Sequence, residues 1–105
     1  MHVQIVNFHL EAMTDREYRE VCDSLAPAFA ALPGLVSKTW LADVASNTYG
    51  GVYTWRDRQA MEAFADTELF KGFVADPHFS DITARDFAIL DGPTAVTHRG
   101  AALAA

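Results

Sequence analysis

The chain has 105 residues, half of them apolar and 21% charged, with 14 acidic against 8 basic side chains and a net charge of −6. That length holds one domain and leaves no room for a second, and the scattered Lys and Arg exclude a phosphate-backbone binder, so nucleic acid is not an expected partner. A lone cysteine, Cys22, excludes an intrachain disulfide, and the longest apolar stretch, Leu25 to Val36, is broken by Pro27, Pro33 and Gly34, so it cannot span a bilayer.

His2 to Leu10 alternates and is rich in Val, Ile and Phe, which predicts a strand that begins at once, with no leader. The expected location is the cytoplasm, with no membrane partner. Thr14-Asp15-Arg16-Glu17 is a capping box, and Tyr18, Val21, Cys22, Leu25 and Phe29 recur at helical spacing until Pro33-Gly34 stops the helix at Leu32. Pro27 inside it removes one backbone donor and should kink the last turn. Gly34 to Leu41 and Thr48 to Trp55 then read as a hairpin turning at Asp43 to Asn47. Gly50-Gly51 within a strand predicts a close approach of backbone or ring, or a bulge. Asp57 and Thr67 can cap two short helices, the second running Glu68 to Ala75, and Asp81 to Leu90 supplies a last strand. Residues 98–105 show no periodicity to bury and are expected to be a disordered tail on a single domain spanning 1–97.

The order strand, helix, strand, strand, helix, strand predicts an α+β, ferredoxin-like βαββαβ fold: an antiparallel four-stranded sheet with its helices on one face. In the first strand Val6, Phe8 and Leu10 point one way and Val3 and Ile5 the other. A lone domain would expose one of these apolar faces, so a homodimer packed sheet to sheet is expected.

Leu32-Pro33-Gly34-Leu35 followed by Lys38-x-Trp40, then Tyr49-Gly50-Gly51-Val52-Tyr53, Asp57 and Met61-Glu62-Ala63-Phe64, resembles the YdhR-type mono-oxygenases of the dimeric α+β barrel superfamily, close to the antibiotic-biosynthesis mono-oxygenases. The resemblance runs from Gln4 to about Thr97. It implies an obligate homodimer with a cleft between sheet and helices in each subunit. It also implies one of several activities: cofactor-independent oxygenation of phenolic polyketides, cyclisation, isomerisation or haem breakdown. Asn7 resembles the asparagine of the haem-degrading members, whereas Trp55 and His78 do not match the closely spaced tryptophan and histidine expected of them.

One hairpin face should carry Val36, Lys38 and Trp40 opposite Tyr49, Gly51, Tyr53 and Trp55, a wall of aromatics beside one cation. Such a wall suits a flat substrate, and it equally suits core or dimer interface; Lys38 either lies over Trp40 in a cation-π contact or binds an anion. His9 and Asn7 share a face of the first strand, and histidine is the side chain suited to accept a proton near neutrality. Arg85 lies on the opposite strand face from its neighbour Asp86, and His78 sits on a loop at a cleft mouth. None of the four histidines stands in a metal-ligand spacing, and no nucleophile elbow or phosphate loop is present, so neither metal nor cofactor is expected. The expectation is a small-molecule enzyme in which His9, Asn7 and Arg85 are catalytic. Lys38, Trp40, Tyr49, Tyr53, Trp55 and His78 would bind an aromatic or polyketide-like substrate, with dioxygen as co-substrate. Cyclisation, dehydration or isomerisation in the same cleft, or a non-catalytic dimeric binding module, are the alternatives.

Overall fold

A computed structural model describes residues 1–98; the expected tail from 98 to 105 lies, apart from His98, outside the described residues. β1 (His2–Leu10) runs down the middle of a sheet with β2 (Leu35–Asp43), β3 (Thr48–Trp55) and β4 (Phe79–Ala88), in the order β2-β3-β1-β4 with every pairing antiparallel. α1 (Asp15–Ala30), α2 (Arg58–Ala65) and α3 (Glu68–Ala75) pack on one face, giving the ferredoxin-like α+β fold. Among the described residues no helix is long and apolar enough to cross a membrane.

Local chemistry starts each helix. The Thr14 hydroxyl accepts from the Glu17 amide at 3.1 Å while the Glu17 carboxylate accepts from the Thr14 amide at 2.9 Å, closing the capping box before α1. Asp57 caps α2 through the Ala60 amide, and Thr67 caps α3 through the Phe70 amide. Pro27 lies inside α1, which ends at Ala30, two residues before the expected stop. β4 begins at Phe79, ahead of the expected Asp81, because the Phe79 ring packs edge-on against Phe8 and beside Phe73. A short helix not expected from the sequence, α4 (Asp91–Thr97), follows β4; Pro93 sits in its first turn, where a missing donor does no harm.

The helices land on the Val6, Phe8 and Leu10 side of β1, where these residues join Tyr49, Tyr53, Trp55, Phe29 and Phe64 in the core. Trp55 has no exposed surface, and its indole N–H donates to the Gln4 side-chain oxygen at 3.1 Å. The opposite face carries Val3, Ile5, Val52 and Phe87 together with Asn7, His9 and Arg85, and Phe87 is 44% exposed. One expected hairpin position is corrected: a bulge between Leu35 and Ser37 turns Val36 outward, 57% exposed, and puts Leu35 opposite Trp55 in its place.

Candidate active site: an apolar cavity around one buried lysine

Between α1, the β2–β3 hairpin and α2–α3 lies a cavity of about 360 Å³, within the usual range for small-molecule sites of roughly 300–1,000 Å³. α1 contributes Tyr18, Cys22, Leu25 and Phe29, the hairpin Lys38, Trp40 and Tyr53, and the two short helices Phe64, Phe70 and Phe73. The apolar periodicity of each helix supplies these rings. What places them around a space is the alternation of β2 and β3, which sends Lys38, Trp40 and Tyr53 to the helical side.

Among the described residues Lys38 is the only basic side chain lining this space. Its Nζ sits 3.4 Å from the centre of the Trp40 ring, 3.5 Å from Phe29 and 4.8 Å from Tyr53. The lysine stem lies directly over the bare backbone of Gly51, where a Cβ would stand 2.9 Å from Lys38 Cε. Gly50, with φ +155°, lets β3 run against the Val6 carbonyl, onto which any Cβ would fall. Burial pushes the Lys38 ammonium from its ordinary 10.5 down to about 7, and among the described residues no carboxylate pairs with it to compensate the lost hydration. The ring faces oppose that by favouring the charged form, each by about 0.5–2 kcal/mol. Burial likewise pushes the Cys22 thiol and the Tyr18 and Tyr53 phenols upward, so all three are neutral at neutral pH. Glu68 and Asp76, from the two ends of α3, add acidic groups to the lining.

The candidate residues divide between two faces of the sheet. Lys38, Trp40 and Tyr53 line the cavity; Tyr49 and Trp55 share their face but are packed into the core, Tyr49 donating its hydroxyl to Asp15 at 2.7 Å. His78 lies outside the lining, its Nδ1 2.8 Å from the Asp76 carboxylate and its carbonyl accepting from the Glu11 amide. His9, Asn7 and Arg85 are on the far face, because period two sends odd-numbered β1 residues away from Val6 and Phe8, and Arg85 pairs with Ile5. They therefore do not meet the aromatic wall as expected. His9 Nδ1 donates to the Asn47 carbonyl at 2.7 Å, and Nε2 faces Asp81 at 3.9 Å. The Asn47 side chain also bonds both the N–H and the C=O of Leu10. The Asn7 amide donates to the Tyr49 carbonyl at 3.4 Å, and the Arg85 guanidinium lies 5.3 Å over the Phe87 ring. Cys22 and Phe29 belong to the cavity although the sequence marked them only as helix packing; their spacing with Tyr18 and Leu25 on one helix face was the available signal. Among the described residues no three His, Cys, Asp or Glu side chains converge as metal ligands would.

Solved structures share this fold. SnoaB from Streptomyces nogalater, a cofactor-independent oxygenase, is 25% identical, with a TM-score of 0.66 over 85% of this chain and 93% of its own. The haem degrader MhuD from Mycobacterium tuberculosis, solved with two haems in its active site, is 19% identical, with a TM-score of 0.68 over 86% of this chain and 96% of its own. Rv0793 from the same organism is 15% identical, with a TM-score of 0.69 over 86% and 95%. No curated protein matches the sequence. The family described as "Putative mono-oxygenase ydhR" matches residues 3–100, nearly the whole chain, and the chain belongs to that family.

Proposed function

We propose that this protein is a cofactor-independent oxygenase of small aromatic or polyketide-like substrates, bound in the cavity between the helices and the β2–β3 hairpin. The observation that carries the reading is an aromatic-walled space holding, among the described residues, a single cation with no carboxylate partner. Trp40, Tyr53 and Phe29 would stack on a flat substrate and fix its orientation, and the apolar lining would keep water from a reactive carbanion or phenolate. Removal of a proton from a phenol, or from a methylene between two aryl groups, leaves an electron-rich anion that dioxygen can oxidise. Conversion of the methylene to a ketone consumes one dioxygen and releases one water, R–CH2–R + O2 → R–CO–R + H2O, which balances without an external reductant. SnoaB, related in fold and at the level of sequence identity given above, carries the same reaction class in its name.

Haem fits this lining poorly. Among the described residues no histidine faces the cavity, burial keeps the Cys22 thiol protonated, and Glu68 and Asp76 would repel propionates. The apolar face with Val3, Ile5, Val52 and Phe87 supports a homodimer packed through that face, and in this reading His9, Asn7 and Arg85 belong to the interface.

Turnover of an anthrone or a quinol in air and under argon tests the reaction. Dependence on oxygen is expected; equal turnover under argon would transfer the cavity to cyclisation or isomerisation, and binding without turnover would leave a binding module. His9→Ala should retain kcat, and its loss with the dimer intact would return the base role to His9.

A further inference from the structure

We propose that Lys38 takes a proton from the substrate and holds the resulting oxyanion, so that the cavity selects compounds with an acidic oxygen, phenols and enols, over neutral arenes of the same shape. This rests on the cavity being the substrate site. An ammonium enclosed by rings and, among the described residues, paired with no carboxylate has donors to spare: three N–H bonds, of which ring faces satisfy none as well as an oxygen anion would. The groups facing it from the surrounding elements do not compete. Cys22 on α1 and Tyr53 on β3 are neutral, Tyr18 is neutral, and the acids Glu68 and Asp76 stand at the two ends of α3.

In the step proposed, the substrate O–H bond breaks and an N–H bond forms on the neutral Lys38 amine. The phenolate or enolate oxygen then remains beside the ammonium it created, with no change in oxidation state. Because both forms of Lys38 are populated near pH 7, the amine can accept a proton that a fully charged lysine could not. Anion and ammonium form together inside a low-dielectric space, where their attraction is strongest. The rings of Phe29, Trp40 and Tyr53 surround Nζ at the cavity wall.

The probe is 4-nitrophenol, whose phenolate absorbs in the visible while the phenol does not, and its control is 4-nitroanisole, which has the same shape and cannot ionise. At one pH unit below the probe's own pKa, about a tenth of free 4-nitrophenol is ionised. On saturation with the wild-type protein that fraction should pass one half, and 4-nitrophenol should bind at least tenfold more tightly than 4-nitroanisole. Lys38→Met should bind both alike and leave the colour unchanged. If the wild-type protein binds both probes equally with no gain in colour, the role of Lys38 is overturned while the aromatic cavity stands. If it binds neither, the cavity reading falls with it. A phenolate band that persists in Lys38→Met moves the base elsewhere. The wild-type comparison of the two probes decides the matter even if the variant does not fold.

Discussion

Replacing Lys38 by Met should stabilise the protein, and by an amount that depends on pH. The methionine keeps the stem over Gly51 and the contacts with Phe29 and Trp40 but carries no charge. The ammonium titrates at about 7 in the folded chain against an ordinary 10.5, which at about 1.4 kcal/mol per pH unit is roughly 5 kcal/mol of destabilisation when both states are protonated. Below pH 7 folded and unfolded chains both carry the proton, and folding bears the whole desolvation penalty. Between 7 and 10.5 the unfolded chain alone binds the proton, so stability rises with pH; above 10.5 the penalty is gone. Evaluated for these two values, the advantage of Lys38→Met is close to its full value at pH 6 and smaller by roughly 2 to 3 kcal/mol at pH 9. Urea unfolding of both proteins at each pH measures the difference directly, and taking the difference removes titrations that Lys38 does not influence. An advantage that does not change between pH 6 and 9 would refute the reasoning. It would mean that the ring faces hold the ammonium near its ordinary pKa and that desolvation is the lesser effect.

Gly50→Ala should cost at least about 3 kcal/mol or prevent folding, because its Cβ would fall on the Val6 carbonyl at a φ that L residues rarely adopt; a wild-type melting curve would refute the close approach. Thr14→Ala removes one half of the capping box and should lower stability by about 1 kcal/mol in denaturant unfolding. Val36→Asp should change stability by no more than about 0.5 kcal/mol, whereas Leu35→Asp, opposite the enclosed Trp55, should be severely destabilising; the reverse order would place the bulge elsewhere.

Elements governed by chemistry within a few residues were legible in the sequence. The bounds of β1 and α3, the Thr14 capping box and the caps at Asp57 and Thr67 all follow from neighbours along the chain. Which face of the sheet receives the helices is different. β1 is apolar on both sides, with Val6 and Phe8 against Val3 and Ile5, so alternation alone assigns two sets of side chains without saying which is covered. That ambiguity is why His9 and Asn7 were expected beside Lys38 and Trp40 and stand behind them instead. The Val36 bulge had no signal in its residues, since Leu35 and Val36 are equally suited to either side. The cavity depends on volume left over between rings from three layers of chain, a quantity no local pattern contains.

Asn47 ties the tip of the hairpin to the end of the first strand by its side-chain bonds to Leu10 and its carbonyl bond to His9. The floor beneath Lys38 is thereby a single braced plate, paired along its length and pinned at its corner. A guest therefore meets that plate on one side only, and the wall across from it is α3, eight residues long and bounded by Thr67 and Asp76, which carries Phe70 and Phe73.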